Sequence, residues 1–266
     1  MKITRALILF TLSFAAMQTH AQKLPKIQEA GLRIPKNLKV DGKATEWKNK
    51  FEAYNNNTAV FYTLANDDNQ LYLVVQATDP LVIRKIIAGG VTFKINPADK
   101  SAEAVSVTYP LFSSKNWPAI NLKDKPEVTK DSSVKSAQVD SFKRAINQRL
   151  NDQSKEIKVF GVKTLGDTLI SVYNQDGIKA ASLFDSRIAY TYELAIPLKY
   201  LGLSGSTQFS YTIALNGSSF AEGTTIEDIE GGTRLVWNGK AGVTMGDMQF
   251  IRFPTSCSGV YTLAKK

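Results

Sequence analysis

The stretch "LYLVVQATDP", residues 71–80, places Leu71, Leu73, Val75 and Ala77 on one side of an extended chain and ends on Asp79-Pro80. Alternation of period two marks a strand with one face on an apolar core. "AYTYELAI" (189–196) repeats it with Tyr190, Tyr192, Leu194 and Ile196, and "FSYTIAL" (209–215) with Phe209, Tyr211, Ile213 and Leu215. Further strands are expected at 31–40, 58–65, 91–96, 103–109, 156–163, 168–173, 178–184 and 247–253. Between the second of these and residue 71, "ANDDNQ" is a hairpin turn rich in residues that tolerate tight backbone geometry.

Two helices interrupt the strands. Asp79 caps and Pro80 opens one over "LVIRKIIA", which Gly89-Gly90 stops. A second, near 138–150, spaces Val139, Phe142, Ile146 and Leu150 as an amphipathic stripe. Residues 113–137, with little periodicity, read as a long loop. Many short strands with few helices predict an all-β fold. We expect an antiparallel β-sandwich, jelly-roll or immunoglobulin-like, with one or two short helices and long loops.

The compartment is read from "MKITRALILFTLSFAAMQTHAQ". Lys2 and Arg5 precede an apolar run from Ala6 to Met17 that ends in Thr19-His20-Ala21. This is the pattern of a secretory signal, residues 1–21, with cleavage near Ala21, and the run is too short for a membrane span. The expected product is an exported protein, periplasmic or extracellular, with one domain over 22–266, its core about 31–253, and no transmembrane segment. Loss of Lys2 and Arg5 lowers the net charge from +9 to +7. That surplus could suit an anionic glycan or surface, although a soluble protein away from neutrality is the plainer reading.

His20 is the one histidine and leaves with the signal, and Cys257 is the one cysteine. A Ser-His-Asp triad, a Cys-His pair, an imidazole metal ligand and an internal disulfide are therefore excluded from the mature chain. Carboxylate chemistry stays open. Glu222, Glu227, Asp228 and Glu230 form an acidic run, and a glycosidase would need two such groups facing across a cleft. Nothing in the sequence sets that separation, so no catalytic residue is assigned. Any activity would be that of a carbohydrate-active hydrolase.

Three motifs follow one another: "LKVDGKATEW", then "DDNQLYLVVQATDP", then "YELAIPLKYLGL". In that order they resemble the family 9 carbohydrate-binding modules and the wider group of DOMON-like sandwich domains, which includes haem-binding members. The matching positions are Asp41, Gly42 and Trp47; Leu71, Tyr72 and Asp79; Glu193, Ile196 and Pro197. "IRKIIAGGVTFKINPADK" with "VTYPL" also resembles uncharacterised exported proteins of Bacteroidota. The resemblance implies a sandwich, and for function a polysaccharide or oligosaccharide ligand, in some relatives with calcium. The matched motifs belong to the scaffold, so no sugar-gripping residue carries over.

Trp47, following the Asp41-Gly42 turn, is expected to pack over the end of the sandwich. Glu193 alternates with Thr191 and Ala195, so it points away from the Tyr190 and Tyr192 face, where it could pair with a lysine or hold a loop. Trp117 and Trp237 are the ligand candidates. Trp117 sits in "SSKNWPAINLK" beside Asn116, and Trp237 in "GGTRLVWNGKAG" between Arg234 and Asn238. A ring beside amide and guanidinium donors suits a sugar. Trp237 could equally plug the core from an alternating strand. Residues 217–242 hold six of seventeen glycines and read as a long loop or loose hairpin.

Haem is disfavoured: Met245 and Met248 could pair only with a lysine. Calcium is open at Asp67 and Asp68, where a solvated turn is the plainer reading. Envelope proteins are the alternative partners. Nucleic acid is disfavoured by export and by the scatter of the lysines.

Overall fold

The computed structural model describes residues 23–266 except 100, 101, 113–121, 123–132, 166, 167, 204–206, 219–223, 231, 238 and 239. At 133–135, 224–226, 229, 232–237, 240–245, 247 and 248 it describes the backbone alone. A first antiparallel sheet runs β1 (Ala53–Asn55), β2 (Val60–Asn66), β3 (Gln70–Ala77), β9 (Tyr190–Pro197), β8 (Lys179–Phe184). A second runs β14 (Thr255–Thr262), β10 (Gln208–Leu215), β4 (Val91–Pro97), β5 (Val105–Tyr109), β6 (Glu156–Phe160), β7 (Leu169–Ser171). Their inner faces share one buried apolar cluster, so the chain is an antiparallel sandwich with short helices, as the alternation predicts. The Tyr62 and Tyr211 hydroxyls meet at 3.0 Å between the sheets, which satisfies two polar atoms in that core.

The two sheets differ in cover. On β10, Phe209, Tyr211, Ile213 and Leu215 face the core while Ser210 on the other side is exposed. On β9 all eight residues are buried, because a layer from residues 23–52 lies over the outer face of the first sheet. Trp47, Phe51 and Ala44 pack there with Ala65 and Val74, and Leu32, Ile34 and Leu38 join them. Trp47 thus covers the face of a sheet rather than the end of the sandwich. Residues 31–40 are not a strand. Their alternating side chains pack downward onto the sheet, and only Arg33 bridges to it, at Asn66.

Helix α1 (Pro80–Gly89) starts as its sequence predicts: the Asp79 carboxylate accepts from the Leu81 and Val82 amides. Gly90, at φ 78°, ends it. Helix α2 (Ser133–Gln153) buries Val139, Ile146 and Leu150, and Asn147 clasps both backbone groups of Phe184 on β8. The expected loop at 113–137 lies outside the described residues as far as 132, apart from Leu122, and the helix begins at 133.

One further expectation fails. Residues 247–253 belong largely to helix α3 (Met245–Arg252), a short apolar run whose type periodicity alone does not settle. Within 217–242, expected as a long loop or loose hairpin, β11 (Thr224–Ile229) and β12 (Gly232–Trp237) pair as an antiparallel hairpin, and β13 (Lys240–Thr244), which starts there, makes it a third sheet. Finally, β14 pairs with β10 along its whole length. Tyr261 near its end and Ala264 just beyond it bond Leu32, Arg33 and Asn66.

Candidate functional site

Glu193 stands on β9 facing outward, 2 % exposed, under the N-terminal layer. Its Oε2 accepts from the Asp41 and Gly42 amides at 2.9 Å each, and its Oε1 from Trp47 Nε1 at 3.1 Å. The three residues of the opening motif therefore converge on one carboxyl of β9. Burial pushes that carboxyl up to about 7, against the pull of the three N–H donors, with the charge of Asp41 adding to the rise. Gly42 has φ 80°, and a Cβ there would lie 2.6 Å from the Ser182 carbonyl carbon, so only glycine lets the turn approach β8 this closely.

The turn delivers Asp41 to the rim of a cleft of about 260 Å³ at the open edge of the sandwich. Its walls come from α2, β8 and the turn after β7. Tyr173, 75 % exposed, stands on that turn. The Val172 amide donates to the Lys155 carbonyl, and Asn174 Nδ2 to the Ser171 and Ile178 carbonyls, which fixes the ring beside Lys155. Lys155 Nζ donates to the Tyr173 hydroxyl at 3.1 Å. Asn151, Ser154 and Ser182 complete the polar lining.

The floor is made of hydroxyls. Tyr109 donates to Ser154 Oγ at 3.0 Å, and Ser154 Oγ donates to the Leu150 carbonyl at 2.6 Å. Ser182 belongs to the lining, but its Oγ is buried, and among the described residues neither it nor the buried Tyr190 and Tyr192 hydroxyls have a hydrogen-bond partner. Ser182 lies near enough to Tyr109 and Tyr190 to bear on their ionisation yet meets neither at bonding geometry. Burial holds all three phenols above their ordinary range, so they stay protonated donors at neutral pH. An unpaired buried hydroxyl is costly, and a ligand hydroxyl is one way to satisfy it.

On the other side of the Asp41-Gly42 turn a second groove, also about 260 Å³, runs between the turn and α2, and is lined more by carbon than by polar atoms. Lys43 and Lys143 border it, each already paired, with Asp41 and Asp140.

Trp117, Asn116 and Asn238 lie outside the described residues. Trp237 and Arg234 are placed by backbone on β12, opposite Thr224 and Glu227. Met245 and Met248 fall on α3, with their side chains outside the description. In the acidic run, Glu222 is outside it, while Glu227, Asp228 and Glu230 are exposed on or beside β11. Asp67 is occupied in its own turn, accepting from the Asn69 and Gln70 amides and from Tyr72, and Asp68 pairs with Arg33 and Lys266. Among the described residues no three metal-ligating side chains converge, and no helix is long and apolar enough to cross a membrane. Tyr173, Lys155, Asn151 and Ser182 were missed because they come from separate segments and share no motif. Comparisons with protein-family models, curated proteins and solved structures gave no match.

Proposed function

We propose that this chain is an exported, non-catalytic carbohydrate-binding protein, and that the cleft between Asp41, Lys155, Tyr173 and Ser182 takes a saccharide. The observation that supports this most is the open ring of Tyr173, 75 % exposed, standing beside the Lys155 ammonium and the Asn151 amide in one cleft. A pyranose offers a C–H face to the ring and hydroxyls to the floor. Placement on a rigid sandwich edge favours binding without a large ordering cost.

The test is a polysaccharide array probed with residues 22–266. Binding in the micromolar to millimolar range is expected, because one stacked ring and a few solvent-competed hydrogen bonds supply only about 4–8 kcal/mol net. Tyr173→Ala should weaken it roughly tenfold or more and leave the melting temperature within about 2 °C, as expected for an exposed side chain. Trp117→Ala and Trp237→Ala in the same assay test the two sequence-derived candidates. Loss of binding in either of these, with Tyr173→Ala unchanged, moves the site away from the cleft. A blank array overturns the reading.

An envelope protein-interaction module is the second reading. It is favoured by Phe160 and Leu169, 46 % and 50 % exposed on β6 and on the edge strand β7 that pairs with it.

A further inference from the structure

The free hydrogen-bonding capacity of the cleft is unbalanced. The Asp41 carboxylate is already answered inside its own turn, by the Lys43 amide at 3.0 Å and the Lys43 ammonium at 2.7 Å. Lys155 has no such answer. Among the described residues no carboxylate lies within ion-pair distance of it, and its one hydrogen bond goes to the neutral Tyr173 hydroxyl. Asn151, exposed at the end of α2, adds an amide to the lining. The cleft therefore offers one uncompensated positive charge beside an amide donor.

Resting on the saccharide reading above, we infer that the ligand is an anionic saccharide whose carboxylate or sulfate ester binds Lys155 while its ring lies against Tyr173. The geometry suits this. Lys155 Nζ sits 5.5 Å from the Tyr173 ring centre and is held toward the hydroxyl end of the ring. A sugar stacked on the open ring presents a substituent of its own ring to the ammonium. A charge-assisted bond to Lys155 is roughly twice as strong as a neutral one, so it sets preference within an otherwise sugar-tolerant cleft. The chain's net positive charge brings acidic polymers to the surface, and Lys155 turns that general attraction into a located contact.

The test compares an oligogalacturonate, the same oligomer fully methyl-esterified, and a sulfated galactan fragment, each titrated against residues 22–266 by calorimetry in about 150 mM salt, where exposed charges are largely screened. Esterification removes the charge and keeps the rings. The free acid, the sulfated fragment or both should bind roughly tenfold more tightly than the ester, and whichever leads identifies the anion. Lys155→Gln should erase that preference, bringing acid, ester and sulfated fragment to the same affinity. Lys94→Gln, an exposed lysine on the second sheet away from the cleft, should leave the preference intact.

Equal binding of acid, ester and sulfated fragment overturns the anionic inference and leaves the saccharide reading standing. So does a preference that Lys94→Gln reduces as much as Lys155→Gln, since the effect is then the charge of the whole molecule. No binding by these three together with a blank polysaccharide array removes both.

Discussion

The outer faces of the two sheets face different surroundings. The first is roofed by residues 23–52, and its strands β2, β3 and β9 are largely buried on both sides, with an ionisable carboxyl among them. The second is bare among the described residues and carries Ser210, Ser256 and Ser258 in water. Its hydroxyls largely satisfy one another, as Thr92 does with Thr108 at 2.7 Å and Thr212 with Ser258 at 2.8 Å. Equal strand geometry thus hides unequal stakes. Side chains on the roofed face carry packing energy, and those on the bare face need only be compatible with water.

The largest effect should come from Trp47→Ala. It removes a ring that is 7 % exposed and the donor to Glu193 Oε1, and should cost about 3–5 kcal/mol in denaturant unfolding. A loss below about 1 kcal/mol would break the contrast between the faces.

Next comes pH. The folded protein keeps the Glu193 proton up to about pH 7, whereas the unfolded chain releases it near 4.5. Stability is therefore greatest at the acid end of that window and falls as pH rises through it, by roughly 3 kcal/mol at most. Unfolding curves at pH 4.5, 6 and 7.5 read this, and Glu193→Gln should flatten the difference. A wild-type protein equally stable at all three would mean that the donors from Asp41, Gly42 and Trp47 keep the carboxylate ionised throughout.

The smallest effect belongs to the bare face. Ser258→Ala breaks a hydrogen bond that water can replace and should shift stability by no more than about 0.5 kcal/mol. A loss as large as that of Trp47→Ala would show that the second sheet has a cover of its own.

Legibility in the sequence follows the same division. Strands with one apolar face, such as β10, are readable from alternation, and so are the Asp79 cap and the α2 stripe. The doubly buried β9 is readable too, since Thr191 and Glu193 keep the alternation although both are buried. What defeats sequence reading is context. Residues 31–40 alternate like a strand and serve as roofing. β14, "TSCSGVYT", buries only Cys257 and Tyr261 among small polar residues and gives almost no hydrophobic signal. The glycines of 217–242 leave a long loop and a loose hairpin equally readable and hide the third strand, β13. The Asp41, Gly42, Trp47 and Glu193 group is visible as spaced motifs, but its meeting at one carboxyl is a fact of three dimensions. The cleft is less legible still, because Ser182 and Tyr173 are ordinary residues until the turn beside β8 closes over them.

The joining of Tyr261 and Ala264 to Leu32, Arg33 and Asn66 bears on how the chain can be delivered. These bonds link positions up to 231 residues apart, and the last strand they secure completes the flank of β10. A chain threaded N-terminus first through a ribosome tunnel or a secretion channel can tie its roof to Glu193 early, but cannot complete the fastening at Leu32, Arg33 and Asn66 or cover that flank until residue 264 has emerged. Until then the roof lacks this second anchor and β10 has a vacant edge open to any neighbouring strand. Contacts of such high sequence separation also fold slowly. Closure thereby waits until residues 255–264 have cleared the tunnel or channel.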